Sequence, residues 1–313
     1  MLRTITLGRT RLDVTNICFG TGGLSSAADA ATPEGIRWAH ETVEAIFDSP
    51  ANFIDTSRLY GKGRTEERIG HVIRERGGLS PGFVLATKLD PDPETRRFDG
   101  AAARRSLETS IKTLGIDHFH VLHLHDPEFI TDITDVTGPE GSMVELMKMK
   151  EEGFCDAVGL GAGDVDVMMP LLRDWDFDVV LTHNRFTLIN RNAEPMIDYA
   201  LSRGMAVLNA APYGGGVFAK GSAAMPKYSY RDAPSDVLDA VRQVEAVCAK
   251  HGVPLGAAAL QFSMRDPRVS VTVCGVSKPD RVEETIEWAN WPIPDAVWEE
   301  LAAVPYSIEN PQA

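Results

Sequence analysis

The sequence predicts an α/β fold built as a (β/α)8 barrel. Short β-type apolar runs alternate with helical stretches along 313 residues, eight such runs can be counted after the N-terminal segment, and no Pro- or Ser-rich linker or composition shift divides the chain. A closed barrel running over 1–313 as one domain is therefore expected rather than an open doubly wound sheet. With 43% hydrophobic and 24% charged residues the chain lies in the ordinary globular range, which excludes disordered, collagen-like and coiled-coil structure.

Taken in order, residues 2 to 14 read as two short strands around Gly8-Arg9-Thr10, an N-terminal hairpin added to one end of the barrel. The eight barrel runs are Ile17–Gly20, Asn52–Asp55, Phe83–Lys88, Phe119–His125, Ala157–Gly161, Asp178–His183, Ala206–Asn209 and Val269–Gly275. Between them the apolar residues recur at helical spacing, most clearly at Val237, Ala240, Val241, Val244 and Val247, which is a core-packing stripe. Two connections exceed ordinary length, Asp126 to about Pro139 after the fourth strand and Gly214 to about Pro234 after the seventh. Barrels keep their specificity in such loops.

Charge and targeting signals narrow the functional classes. Thirty-one Lys and Arg against forty-five Asp and Glu give a net charge of −14, the wrong sign for a phosphate-backbone footprint, so nucleic acid is not an expected partner. No apolar run is long enough for a membrane span, and the N-terminus lacks a signal-peptide core, so a cytoplasmic protein is expected. The four cysteines, Cys18, Cys155, Cys248 and Cys274, have no paired spacing and read as small buried apolar residues of a reducing compartment. Oligomeric state is not readable.

Glycines after the first strand (20, 22 and 23) and after the fifth (159, 161 and 163) invite a dinucleotide fingerprint, but Ser25 and Asp164 stand where its last glycine is needed. They are left either to admit backbone close to a ligand or to make tight turns. His118, His120, His123 and His125 crowd the fourth strand, where alternation splits them two and two between faces. With only His183 and Asp55 at other strand ends, no metal site is expected.

Another constellation suits a barrel mouth. Asp55, Lys88 and His125 close the second, third and fourth strands at their carboxyl ends, and Tyr60 lies in the loop leaving Asp55. An ammonium beside a phenol lowers its pKa, Asp55 would keep Lys88 charged, and His125 could hold a carbonyl or hydroxyl oxygen for proton exchange with Tyr60. A structural salt bridge accounts equally for Asp55 and Lys88 alone.

The stretches N-F-I-D-T-S-R-L-Y-G-K-G-R-T-E-E-R-I-G (52–70), L-A-T-K (85–88) and V-L-H-L-H-D-P (121–127) resemble the aldo-keto reductase family. Its D-T-x-x-x-Y-G signature stands at Asp55, Thr56, Tyr60 and Gly61, and Lys88 and His125 complete the family's tetrad. The likeness runs from L-G-R-T (7–10) to C-G-V-S-K-P-D-R-V-E-E-T (274–285). It implies an enzyme passing hydride between nicotinamide C4 and a carbonyl or alcohol carbon. Gly20 and Thr21 would lie near the nicotinamide, and His183 stands where a carboxamide-holding glutamine is usual. Pro212, Tyr213, Gly214, Gly215 and Gly216 would line the pyrophosphate, and Ser277, Lys278 and Arg281 the adenosine end.

Departures from the family pattern are Gly161-Ala162 for Ser-Asn, Ala210 for a stacking aromatic, and Gly275 for a phosphate-binding lysine. Lys278 and Arg281 remain to pair with a 2′-phosphate, which leans the coenzyme toward NADP over NAD. H-D-P (125–127), R-F-T-L (185–188) and the stretch 244–262 resemble the family's sugar-oxidising branch, with its D-threo-aldose (L-fucose) 1-dehydrogenases, L-galactose dehydrogenases and pyridoxal 4-dehydrogenases. The substrate implied is a sugar, oxidised at C1 to the lactone, or another small aldehyde or ketone in the reverse reduction. A nucleotide-sensing subunit without turnover is the alternative of another class. Asp126, Glu128, Phe218, Tyr228 and Tyr230 are the expected pocket residues, beside a short tail from Pro305 to Ala313.

Overall fold

The computed structural model describes residues 2–25 and 31–312. The N-terminal hairpin pairs β1 (Thr4–Thr6) with β2 (Asp13–Thr15) antiparallel. Eight parallel strands then close a barrel: β3 (Ile17–Gly20), β4 (Phe53–Asp55), β5 (Val84–Leu89), β6 (Phe119–His125), β7 (Cys155–Ala162), β8 (Val179–His183), β9 (Ala206–Ala210) and, after a small hairpin of β10 (Lys227–Tyr228) and β11 (Arg231–Asp232), β12 (Val271–Gly275). β12 pairs with both β9 and β3, which closes the ring. The runs expected from sequence match these strands to within two residues at each end.

Strand alternation sorts the side chains. One face of each strand fills the barrel with Cys18, Phe53, Val84, Ala86, Val121, Ala157, Val179, Leu181, Ala206, Leu208, Val271 and Val273, all buried. Leu7 and Val14 of the hairpin join this cluster, so β1 and β2 plug the amino end. The fit is close at Gly8, where φ is +54° and a Cβ would stand 2.7 Å from the Ala206 amide nitrogen. The other strand faces pack against the helices in a second, larger core. All four cysteines are buried and unpaired.

The helix ends are set by local chemistry. Thr32 caps Pro33–Asp48 by accepting from the Gly35 amide, and Asp99 caps Gly100–Leu114 by accepting from Ala102, before Gly115 ends that helix at φ +73°. The two long connections carry structure of their own. A short helix, Thr134–Thr137, lies in the first, and Val217–Lys220 with the β10–β11 hairpin lies in the second. Two helices, Ser235–Lys250 and Leu255–Arg265, separate β9 from β12 instead of one. No helix among the described residues is long and apolar enough to cross a membrane.

Candidate active site

β4, β5 and β6 are neighbours in the barrel, so the residues at their carboxyl ends are brought together by register alone. Lys88, 1% exposed, donates from Nζ to Asp55 Oδ1 at 2.6 Å and to the Thr56 carbonyl at 2.6 Å. Burial by itself would push the ammonium pKa down, but Asp55 and Tyr60 outweigh it and hold Lys88 above its ordinary range. Asp55 Oδ2 is buried without a partner, and the Asp55 carbonyl accepts from both the amide and hydroxyl of Thr21. Thr21 therefore braces the end of β4 from the end of β3.

Tyr60 returns over the mouth through a tight turn in which Gly61, Lys62 and Gly63 take φ values of +60°, +60° and +90°. Gly61 is required there, since a Cβ would fall on the Ser25 side chain. The turn sets the Tyr60 ring 4.7 Å from Lys88 Nζ and edge-on to His125, centroids 5.7 Å apart. The four expected residues thus converge. One expectation is corrected: burial raises the Tyr60 pKa well above its ordinary value, and the Lys88 charge offsets this only in part.

His125 brings two residues that the sequence reading missed. Its Nδ1 lies 2.5 Å from Oδ1 of Asp90, which is fully buried, and 3.4 Å from Ser57 Oγ. Oδ2 of Asp90 accepts from Ser57 Oγ at 2.8 Å and from the Leu59 amide at 3.1 Å. The signal was the spacing in K-L-D: two residues beyond Lys88 on an extended chain, Asp90 shares its face.

Toward solvent, Asp126, Glu128 and His183 gather with donor or acceptor atoms all within 4.8 Å of one another. This corrects the expectation that no such convergence exists, because alternation along one strand says nothing of neighbouring loops. Glu128 Oε1 already accepts from the Gly163 and Asp164 amides, while its Oε2 has no partner, so the trio forms a polar rim at the barrel mouth. His183 accepts at Nδ1 from Asn184, and its burial lowers its pKa to about 4, so it is neutral with the proton on Nε2. Beneath it Arg185, 1% exposed, donates to the His183 carbonyl and to Asn310 and Gln312 of the tail, a clamp the sequence reading also missed. The tail's last residue, Ala313, lies outside the described residues.

Several expectations fail on packing grounds. Phe218 is fully buried in the helix-side core, and the Tyr228 hydroxyl is bonded to Thr187 and the Asn184 carbonyl, so neither lines a pocket. Tyr230, 61% exposed, is free to do so. Two of the three glycines along and just after β7 are required by packing: a Cβ at Gly159 would fall on the His123 ring, and one at Gly163 on the Arg185 guanidinium. They make room for two buried side chains. His123 sits inside the barrel, where burial first, and then Lys88, keep it neutral. His118 faces outward, bonded to the Gly153 carbonyl and Asp156.

Residues expected to meet a dinucleotide form an arc across β3, β9 and β12. Gly22 lies beside the Tyr60 ring. Gly214, Gly215 and Gly216 take φ of +59°, +78° and +114°, and a Cβ at the first would stand 2.7 Å from the Tyr228 ring. Only glycines can form this backbone cradle, which suits a pyrophosphate. Pro212 opens it. The Tyr213 ring is buried edge-on to Trp288, which leaves its backbone for the expected contact. At the outer end Ser277 and Lys278 are exposed around the open Gly275. Lys278 Nζ rests 4.3 Å over Trp38, while Arg281 is ion-paired to Glu284. The residues present fit a nicotinamide dinucleotide.

A closed barrel with a buried lysine and histidine and a half-buried tyrosine beside a glycine cradle fits the class of nicotinamide-dependent oxidoreductases. The aldo/keto reductase family profile matches residues 16–305, and the chain belongs to that family as an NAD(P)-dependent enzyme. Among curated proteins it is 27% identical to a pyridoxal 4-dehydrogenase of Microbacterium luteolum, with 94% of this chain and 95% of the relative covered. It is 28% identical to a D-threo-aldose 1-dehydrogenase of a Pseudomonas species, with 85% and 86% covered. An aldo-keto reductase of Bacillus halodurans, solved in its holo form, superposes with a TM-score of 0.74 at 18% identity over 97% of both chains, a likeness of fold.

Proposed function

We propose that the protein oxidises an aldose at C1 to the lactone, with Asp55, Tyr60, Lys88 and His125 as its catalytic residues. The observation that carries the sugar reading is the rim of Asp126, Glu128 and His183 next to His125. It offers carboxylate acceptors and an imidazole N–H donor in one patch, as vicinal hydroxyls require. The sugar-oxidising relative supports the same reading.

A bound dinucleotide supplies the hydride acceptor at nicotinamide C4. The chain's own groups handle the proton. Tyr60, as phenolate, takes the proton of the C1 hydroxyl while the C1 hydride leaves, and the C1–O bond becomes the lactone carbonyl. Lys88 stabilises the phenolate, Asp55 holds Lys88, and His125 fixes the reacting oxygen. Because Tyr60 is protonated over most of the pH range, sugar oxidation should accelerate as pH rises, and the reverse reduction should not.

Gly20, Thr21, Pro212 through Gly216, Ser277, Lys278 and Arg281 are proposed to hold the coenzyme, with only the backbone of Tyr213 taking part, while the single N–H of His183, expected from sequence to hold the carboxamide, is given to the substrate. With Arg281 engaged by Glu284, the lean toward NADP rests on Lys278. A second reading, oxidation or reduction at the aldehyde carbon of pyridoxal, draws on the exposed Phe129 and Tyr230 as aromatic faces for a planar ring and on the pyridoxal-oxidising relative. The test is absorbance at 340 nm with NAD and NADP separately against L-fucose, D-arabinose, L-galactose and pyridoxal, with the lactone identified by mass. Turnover of pyridoxal alone would replace the sugar reading by the second one.

A further inference from the structure

We infer that Asp90 is a positioning residue that pins the ring proton of His125 on Nδ1 and thereby decides what Nε2 offers to the substrate oxygen. The geometry is specific. Asp90 is fully buried, and its two oxygens have three donors: His125 Nδ1 at 2.5 Å, Ser57 Oγ at 2.8 Å and the Leu59 amide at 3.1 Å. The Ser106 hydroxyl, accepting from the Asp90 amide at 3.0 Å, holds its backbone. A carboxylate so supplied is ionised, and it can only accept from Nδ1.

The other nitrogen then has two states. As imidazolium, His125 presents an Nε2–H that polarises a carbonyl. Neutral, it presents only an Nε2 lone pair, which can give nothing to an oxygen whose own proton Tyr60 takes. Reduction and oxidation, as one step run in two directions, thus call for the same Nε2–H form of His125. The groups facing this ring are Asp90 and Lys88 from β5 and its exit, Ser57 and Tyr60 from the loop after β4, Asp126 and His123 along its own strand, and His183 from β8. Burial disfavours the cation, but Asp126 and Asp90 outweigh it and raise the His125 pKa. Lys88 acts in the opposite sense.

This inference rests on the hydride-transfer reading for its consequence but not for its test. Long-range proton–nitrogen spectra of the whole protein, with His125 assigned by its loss in His125→Gln, report tautomer and titration without substrate. In the wild type Nδ1 stays protonated and Nε2 titrates above the ordinary histidine value of ~6.5. In Asp90→Asn the midpoint should fall by about one unit or more, and Asp90→Glu should restore most of it. The kinetic counterpart is a pH limb, falling above that midpoint in both oxidation and reduction, that moves with the midpoint while coenzyme KM stays constant. A neutral wild-type His125 protonated on Nε2 would overturn the inference, as would an unmoved midpoint in folded Asp90→Asn. If that variant fails to fold, the wild-type tautomer still decides. Absence of sugar turnover with the expected spectrum would overturn the functional reading alone.

Discussion

The two ends of the barrel are built on opposite principles. At the amino end the interior is apolar and sealed, with Leu7 and Val14 of the hairpin packed among Cys18, Phe53, Val84 and Ala206. At the carboxyl end Asp55, Lys88, Asp90, His123 and His125 are buried as polar or charged groups in the same tube. Backbone strain follows the same division. The seven non-glycine residues with positive φ among the described residues, Lys62, Arg96, Asp126, Asn184, Ala211, Ser229 and Tyr230, all lie in loops leaving the carboxyl ends of strands. One end stabilises the fold, and the other uses part of that stability to hold strained loops and buried ions in place.

Lys88→Met should break this contrast most severely. It leaves Asp55 buried without its cation, so a loss of about 3–5 kcal/mol is expected together with loss of turnover. Urea unfolding and a 340 nm assay measure the two, and Lys88→Met with Asp55→Asn should recover stability but not turnover. Stability unaffected by Lys88→Met would mean that the pair is not a buried ion pair.

The next effect lies behind the barrel wall. Glu66 is buried, and this burial raises its pKa to about 7, while hydrogen bonds from Thr87 and Ser110 pull it the other way. A carboxyl with a folded pKa above its unfolded value stabilises the fold most at low pH and loses that contribution as pH rises through about 7. Glu66→Gln should therefore flatten the fall in Tm from pH 5 to 8, gaining on the order of 3 kcal/mol at the alkaline end. A Tm profile parallel to wild type would count against the buried, protonated state.

Gly8→Ala sharpens the contrast from the sealed end. The strained φ and the contact with Ala206 should cost about 1–3 kcal/mol, visible as a lower Tm, with kcat per folded molecule unchanged. A change in kcat would show that the two ends are coupled. The smallest effect expected is at the coenzyme rim, where Lys278→Ala should weaken NADP binding about tenfold relative to NAD, as read by fluorescence titration. Equal losses for both coenzymes would remove the lean toward NADP.

The barrel was legible because its strands are short apolar runs whose period fixes which side chains face inward, and because Asp55, Lys88 and His125 each end such a run. The hairpin was legible from Gly8 and its flanking alternation. Contacts made across the barrel were hidden. That Gly159 exists to admit His123, or that Asn310 and Gln312 secure Arg185, depends on neighbours far away in sequence. Phe218 and Tyr228 were misread for the same reason: residue type suggests a pocket aromatic, and only packing tells core from rim. Asp90 was within reach, since its spacing from Lys88 placed it on the catalytic face.

The central claim is that the carboxyl mouth moves hydride from a sugar through Tyr60. It is tested most directly by the initial rate of reduced-coenzyme formation from an aldose in wild type and Tyr60→Phe, with coenzyme affinity measured in parallel by fluorescence. The expected result is a loss of about 10²-fold or more in rate with affinity unchanged. Wild-type rates in a Tyr60→Phe protein that still binds coenzyme would contradict it.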